Sequence, residues 1–171
     1  MGLREELLEV VRATDLEDQR VATDVAALIA AWEAPPSEEE LGEALEEAIS
    51  RGRTATVRTL FGCGARLASD SLHRAAAIED PTAAVATIEV LVEAGARLDE
   101  HFDSATPLQL AATVEAALLL AREGAPVASD LCASHAMAGR AEIADALAAG
   151  VPPNPSITVR PVEHQRHYWA H

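Results

Sequence analysis

The side chains with the widest chemical reach in this sequence are two cysteines and six histidines. Cys132 and His135 are three residues apart, so in a helix they would share a face, as a nucleophile and its general base must. A small thiol packed beside a hydrogen-bonded histidine in a helical core is the commoner reason for such a pair. No Gly-rich phosphate loop, H-E-x-x-H, paired C-x-x-C or G-x-S-x-G segment occurs. The sequence therefore assigns no catalytic residue, metal ligand or cofactor, and it predicts that the protein is not an enzyme.

Histidines and aromatic residues concentrate near the end of the sequence. Residues 164–171 hold His164, His167, Tyr168, Trp169 and His171, after a segment rich in proline. Three interpretations stay open. The segment is a cap that covers the preceding fold, a transition-metal site formed by imidazoles, or a peptide presented to a modifying partner enzyme, as in a ribosomal-peptide precursor.

Composition indicates which elements position these residues. The 171 residues are 49% hydrophobic and only 3% aromatic, with 37 alanines, 13 arginines and no lysine. Alanine is the best helix former, whereas the residues that favour strands are sparse. We therefore predict an all-α fold and exclude a β-sandwich or barrel. Arginine without lysine, together with abundant alanine, is typical of GC-rich bacterial genomes.

Charge restricts the classes of partner. The chain has 28 acidic and 13 basic residues, a formal net charge of −15, which repels the phosphates of nucleic acids and anionic membranes. The first residues lack the basic start and apolar core of a signal peptide, and no apolar run approaches the length of a membrane span. We therefore expect a cytoplasmic protein that binds neither nucleic acid nor membrane.

Residues 1–36 are expected to form an acidic, helical N-terminal cap. Two helical stripes of apolar residues occur there, with Thr14 and Asp15 as candidate caps between them. Ser37 and Glu40 have the spacing of a capping box, which predicts that a third helix begins near residue 38. The acidic run that follows is a solvated face, or a surface that steers a basic partner.

Four glycines then recur at similar spacing. Gly64, Gly95, Gly124 and Gly150 each end an apolar stretch, and they are separated by 31, 29 and 26 residues. A glycine in this place is typical of a left-handed helix C-cap. The recurring unit is therefore helix, turn, helix and glycine.

These units resemble the ankyrin repeat, whose first helix opens T-P-L-H-x-A. The strongest match is Thr-Pro-Leu-Gln-Leu-Ala-Ala at residues 106–112, and Ser-Leu-His-Arg-Ala-Ala at 71–76 matches less closely. The resemblance implies an ankyrin-like helical solenoid of about four short repeats over residues 37–154, followed by a C-terminal tail at 155–171. His73 occupies the histidine position of the pattern, where the family uses the ring to tie the turn. Arg74 stands where the pattern has leucine, and Glu46 and Glu47 stand where it has His-Leu.

The resemblance implies non-catalytic binding of a partner protein through the first-helix face and a protruding loop. The candidate partner-binding residues are Arg74, Glu100, His101, Phe102, Asp103 and Gln109. Phe102 is either an exposed interface anchor or is folded under its loop, and Arg74 either snorkels or pairs with a carboxylate. Two other functions stay open: a folded carrier whose C-terminal tail is modified by a tailoring enzyme, and an acidic immunity protein or inhibitor of a basic toxin. The oligomeric state does not follow from the sequence.

Overall fold

The computed structural model describes residues 2–127 and 131–150, and the regular structure in these ranges is helical. An isolated bridge joins Phe102 and Ala105, and the described ranges contain no β-strand. The all-α prediction is therefore confirmed. His164, His167, Tyr168, Trp169 and His171 lie outside the described residues. The helices are α1 (Leu3–Arg12), α2 (Asp18–Ala31), α3 (Glu38–Ser50), α4 (Thr54–Gly62), α5 (Ser71–Ala76), α6 (Pro81–Glu93), α7 (Pro107–Leu110), α8 (Val114–Glu123), α9 (Leu131–Met137) and α10 (Ala141–Ala148).

The helices pack in two rows. Each odd-numbered helix contacts the even-numbered helix that follows it, which gives five helix pairs. Successive odd-numbered helices contact one another from α1 to α9, and successive even-numbered helices do the same from α2 to α10. None of the helices within 2–127 and 131–150 combines the length and apolar character needed to cross a bilayer.

The core lies between the two rows. Each pair contributes a buried aliphatic residue from both of its helices, and these residues repeat along the chain. The odd-numbered helices contribute Leu7, Leu45, Leu72, Leu108 and Leu131, and the even-numbered helices contribute Val25, Leu60, Leu91, Leu120 and Leu147. Burying each leucine stabilises the fold by roughly 1.5–3 kcal/mol, so the helix pairs depend on contact with their neighbours.

Of the helix starts predicted from the sequence, one is confirmed and one is wrong. The Ser37–Glu40 capping box is confirmed, since Ser37 N–H donates to Glu40 Oε2 at 2.8 Å and α3 begins at Glu38. The prediction that Thr14 and Asp15 cap the second helix is wrong, because α2 begins at Asp18 after Glu17. The Asp18 carboxylate instead caps the start of α4, where it accepts hydrogen bonds from the N–H groups of residues 55 and 56 at 2.6 and 3.1 Å.

Hydrogen bonds from one pair to the next satisfy carbonyls at the C-terminal ends of α1 and α7. Arg140, at the start of α10, donates to the carbonyls of Leu110 and Ala111 at 3.3 and 2.9 Å. Arg53, at the start of α4, donates to the carbonyl of Ala13. These carbonyls have no partner within their own helices, so each guanidinium ties two helix pairs together.

His135 forms a similar tie inside the core. Its side chain is fully buried, and Nε2 lies 2.9 Å from the carbonyl oxygen of Leu108. Because a carbonyl oxygen only accepts, Nε2 carries the hydrogen. Nδ1 is buried and finds no hydrogen-bond partner within the described ranges. Burial, and to a smaller extent the charge of Arg140, lower the pKa of His135 below its ordinary value of 6.5.

Glycines with positive φ mark the turns. The four glycines of the sequence repeat, Gly64, Gly95, Gly124 and Gly150, have φ between 91° and 103°, which confirms their predicted left-handed conformation. Gly52, between α3 and α4, has φ of 64°, and a Cβ atom there would lie 2.7 Å from the Cβ of Ala83 on α6. This glycine therefore permits both the turn and the close approach of the next pair.

We expect Gly52→Ala to destabilise the fold by roughly 2–5 kcal/mol, because it adds a clash with Ala83 to the strain of a positive φ. The matched control is Gly139→Ala, where φ is 77° and no atom lies within 4 Å of the added Cβ. The control should lose only the roughly 1–2 kcal/mol of backbone strain. Urea unfolding measures both, and equal losses in the two variants would contradict the packing argument.

We expect the free energy of unfolding to fall as the pH drops through 6.5, in part because of His135. The lowered pKa means that the unfolded chain binds this proton first as the pH falls. The contribution of His135 to the free energy of unfolding is therefore fully present above pH 6.5. Below pH 6.5 it declines by at most about 1.4 kcal/mol per pH unit. His135→Gln keeps an N–H donor for Leu108 and should remove this part of the dependence between pH 7.5 and 5.5, whereas the exposed His101→Gln should retain it. The prediction fails if wild type and His135→Gln have the same pH slope.

Candidate functional site

A short hairpin protrudes between α6 and α7, and we call residues 99–105 the finger. Phe102 N–H donates to the carbonyl of Ala105 at 2.9 Å, and Ala105 N–H donates back to the carbonyl of Phe102 at 3.0 Å. Asp103 and Ser104 form the turn, with φ of 50° and 68°. Two left-handed residues match the twist of a tight two-residue hairpin. Asp103 tolerates this conformation better than most side chains do.

The side chain of His73, on α5, anchors the finger by hydrogen bonding. Its Nε2 lies 3.1 Å from the carbonyl oxygen of Glu100 and 3.0 Å from that of Ala105. Both partners only accept, so a single N–H is shared between the two sides of the hairpin. The side chain is only 2% exposed, and its Nδ1 has no hydrogen-bond partner among the residues that the structure describes. The ring therefore fixes the hairpin to the first helix of the preceding pair.

Phe102 is presented at the surface of this anchored hairpin. Its side chain is 41% exposed, and its ring centroid lies 5.9 Å from that of His73, with the two rings tilted at 53°. The ring of Phe102 therefore lies near the histidine while much of the residue meets solvent. An open groove of about 330 Å³ lies at the base of the finger, lined by residues that include Leu67, Leu72 and Glu100.

The remaining finger candidates surround Phe102. His101 and Asp103 are exposed, and Glu100 is half-buried with its carbonyl bound to His73. On the side toward α6, Asp99 pairs with Arg97 at 3.2 Å, and this hydrogen bond lowers the pKa of Asp99. The finger therefore combines one exposed aromatic ring with charged neighbours.

Arg74 lies next to His73 on α5, but it pairs toward α3. Its guanidinium is 2.7 Å from the carboxylate of Asp70 and 3.3 Å from that of Glu46, with the side chain 39% exposed. Of the two sequence interpretations of Arg74, this geometry corresponds to pairing with a carboxylate. Arg74 thus links α5 to α3 on the surface formed by the odd-numbered helices.

Ion pairs continue across that surface toward the N-terminus. Glu47 on α3 accepts from Arg12 at 3.3 Å and from Arg51 at 2.7 Å, and these two hydrogen bonds lower the pKa of Glu47. Glu43 accepts from Arg4 at 2.7 Å. A shallow groove of about 290 Å³ runs between these side chains and Arg74. Much of the acidic run is therefore paired within the protein.

The side chain of Gln109 caps the N-terminus of its own helix, α7. Its Oε1 accepts a hydrogen bond from Thr106 N–H at 2.7 Å, while Thr106 Oγ1 accepts from Gln109 N–H at 3.4 Å. This reciprocal capping box holds α7, which is only four residues long. The side chain is half-buried. The carbonyl oxygen of its amide is therefore occupied at the N-terminus of α7.

The structure groups the finger candidates with His73, which the sequence had marked only as a structural residue. It does not bring Arg74 or Gln109 into hydrogen-bonding contact with the finger within the part of the chain that it describes. The sequence alone did not identify Asp70 and Glu46 as partners of Arg74. The four-residue spacing of Asp70 and Arg74 is a usable signal. For Glu46, the usable signal is that an acidic residue replaces the residue expected from the repeat pattern. The next unit has a basic replacement, Arg74, which can pair with it.

Of the two sequence interpretations of Cys132 and His135, the geometry corresponds to a histidine that is hydrogen-bonded in the core. Nε2 of His135 is bound to Leu108, and the ring has no solvent exposure. Within residues 2–127 and 131–150, no group of three His, Cys, Asp or Glu side chains is arranged to hold a metal ion. The histidines of the predicted transition-metal alternative, His164, His167 and His171, lie outside these ranges. No protein-family model matches the sequence, and no curated protein matches it significantly.

We expect His73→Ala to release the finger. The variant loses the shared hydrogen bond to both sides of the hairpin, which costs roughly 1–3 kcal/mol. Hydrogen exchange at the Phe102 and Ala105 amides should therefore accelerate roughly tenfold to a hundredfold. His101→Ala, on the exposed side of the same hairpin, is the matched control and should leave both rates unchanged. Unchanged rates in His73→Ala would show that the hairpin holds itself without the histidine.

Proposed function

We propose that this chain is a non-catalytic protein-binding module of the ankyrin-repeat type, and that the finger carries its main contact. The two rows of paired helices support an ankyrin-like solenoid, as do the left-handed glycine after each pair from α4 onward and the histidine tie from α5 to the finger. The observation that carries the binding function is Phe102, a large apolar side chain 41% exposed on an anchored hairpin. Fixing an aromatic side chain before binding lowers the entropy cost of association.

The chemistry of the finger indicates the kind of partner surface. Aromatic residues dominate the energetics of protein interfaces, where they fill pockets surrounded by polar contacts. Phe102 has Glu100, His101 and Asp103 beside it, which suits an apolar pocket with a polar rim that includes basic groups. The groove at the base of the finger extends this surface toward Leu67 and Leu72. We therefore expect the partner to bury Phe102 and to cover the groove beside it.

The ion pairs on α3 weigh against a function based on its acidic run. Glu43, Glu46 and Glu47 each bind an arginine of the same chain. Such pairs leave less unbalanced negative charge to steer a basic toxin than the sequence alone indicates. The carrier function depends on residues 155–171. A mass change confined to that segment in protein from the native host would test it.

We expect Phe102→Ser to abolish capture of the partner. An N-terminally tagged full-length chain serves as bait in lysate of the native host, with mass spectrometry of the bound proteins. Loss of a central aromatic anchor typically costs about 2 kcal/mol or more, roughly a thirtyfold loss of affinity. Leu16→Ser removes another exposed apolar side chain, 36% exposed and in the loop between α1 and α2, so it should retain the partner.

A crosslinking arm identifies the contact directly. A photoreactive phenylalanine analogue at position 102 should crosslink to the protein that wild type and Leu16→Ser capture. Retention of that protein by Phe102→Ser, with no crosslink from position 102, would overturn the proposed finger contact. Circular dichroism of both variants shows whether the helices are intact.

A further inference from the structure

Helix α6 is apolar nearly all the way round, yet part of its surface is open to solvent. Glu89 and Glu93 are the only charged residues among its thirteen. A helix that is apolar on every side is normally covered on every side. Helix α6 packs against α4, α5 and α8, but Pro81 remains exposed and Val85 and Ala86 are only half-buried. This part of α6 therefore has the composition of a contact surface.

The open surface of α6 borders a groove that continues across the even-numbered helices. Pro81, Val85 and Glu89 of α6 line it together with Glu115 of α8, around a volume of about 410 Å³. A second groove, of about 590 Å³, shares Pro81 and Glu115 with the first and reaches Ile143 near the start of α10. We call the two grooves together the outer groove. It connects the N-terminal parts of α6, α8 and α10.

The charged residues of the outer groove are mostly acidic and unpaired. They are Glu79, Glu89, Glu115, Glu142 and Arg140. All four glutamates are exposed, and no ion pair joins any of them to another residue in 2–127 or 131–150. The guanidinium of Arg140 donates instead to backbone carbonyls of residues 109–111. Four negative charges against one positive charge give the lining a formal charge of −3.

Helix N-termini account for only part of this charge. Glu115 and Glu142 lie in the first turns of α8 and α10, where a carboxylate stabilises the helix dipole. Glu79 lies before the N-cap of α6, and Glu89 lies in the second half of that helix, so this explanation does not extend to them. A cationic partner would be attracted by all four carboxylates without first displacing an arginine of the described chain. The acidic run of α3 differs, because its glutamates already bind arginines.

We propose that the outer groove is a second binding surface, and that its occupant is a basic amphipathic segment of a partner protein. Apolar side chains of that segment contact Pro81, Val85 and Ala86, and its arginine or lysine side chains pair with the glutamates that border them. The apolar contact supplies affinity, whereas the complementary charges speed association and select the partner. This surface is formed by the even-numbered helices, so it is separate from the finger and does not depend on the function proposed for Phe102.

The width of the groove sets the length of the segment. Packed helices lie roughly 8–10 Å apart, so the three helices α6, α8 and α10 extend over roughly 16–20 Å. An α-helix of about 14 residues covers that distance at about 1.5 Å per residue. An amphipathic helix laid in a groove is an established mode of peptide recognition. A peptide of this length is therefore a suitable probe.

The first test uses a fluorescein-labelled peptide of about 14 residues, with leucines on one helical face and arginines on the other. Fluorescence anisotropy at about 0.15 M salt, where distant charges are screened, measures its affinity for the full-length protein. We expect saturable binding that weakens roughly fivefold or more in Glu89→Gln/Glu115→Gln. Glu9→Gln/Glu33→Gln makes the same charge change at exposed glutamates of the first helix pair and should bind as wild type does. Equal losses in the two variants, or no saturable binding by wild type, would overturn the proposal.

The second test addresses the apolar contact. Ala86→Arg places a bulky cation in the groove and should weaken binding of the same peptide roughly tenfold or more. Ala26→Arg makes the same substitution on the exposed side of α2 and is the matched control. A peptide with serine in place of each leucine should also bind at least about tenfold more weakly, since it has no apolar face. Undiminished binding in either case would show that charge alone holds the peptide and would overturn the proposal.

Two further measurements locate the peptide and separate this surface from the finger. Amide chemical shifts in the full-length protein should change at residues 79–89 and 113–115 when the peptide is added, and changes confined to other helices would contradict the proposed surface. Phe102→Ser should bind the peptide with the affinity of wild type, whatever its effect on capture of the finger's partner. Loss of peptide binding in Phe102→Ser would place the peptide on the finger and overturn the proposal. Circular dichroism of every variant shows whether its helices are intact.

Discussion

The odd-numbered helices of the later pairs cannot persist on their own, and the rest of the structure follows from that constraint. Helix α5 has six residues and α7 has four, far fewer than an isolated helix needs in water. Their polar ends and apolar faces must both be satisfied by neighbours. Leu72 and Leu108 are buried between adjacent pairs, and backbone carbonyls of α7 accept hydrogen bonds from Arg140 and His135 of the next pair. Stability in this chain therefore resides in the contacts between pairs.

The same constraint explains why so many polar residues are partly or wholly buried. His73, His135, Arg53 and Arg140 each donate to backbone carbonyls of a neighbouring pair or its loop, and Asp18 accepts from the backbone of α4. A buried carbonyl without a partner costs roughly 1–3 kcal/mol, so these side chains offset a penalty that short helices create. Both histidines also leave Nδ1 buried without a partner in the described ranges. That cost is tolerated because, without these histidines, the backbone carbonyls that they bind would have no hydrogen-bond partner.

Local signals in the sequence predicted the features that depend on local geometry. Ser37 and Glu40 marked a helix start because a capping box involves residues only three apart, and Gly64 marked a turn because few other residues adopt a positive φ. The cap supplied by Asp18 to α4 was missed because it joins residues 37 and 38 apart in sequence. The contact between Arg74 and Glu46 was missed for a related reason. Each departs from the repeat pattern when taken alone, and they compensate each other only when adjacent units are stacked.

The candidate site follows from the way stability is distributed. Phe102 can remain exposed because the finger does not depend on burying that ring, since the hairpin is fixed by its two backbone hydrogen bonds and by His73. Sequence could place Phe102 in a loop but could not decide between an exposed ring and a buried one, because the choice depends on an anchor 29 residues earlier in the chain. The anchor is a residue of α5, and α5 is held by α3 and α7. The conformation of the finger is therefore coupled to the packing of three helix pairs, so a partner that bound Phe102 as proposed would also stabilise the stack that presents it.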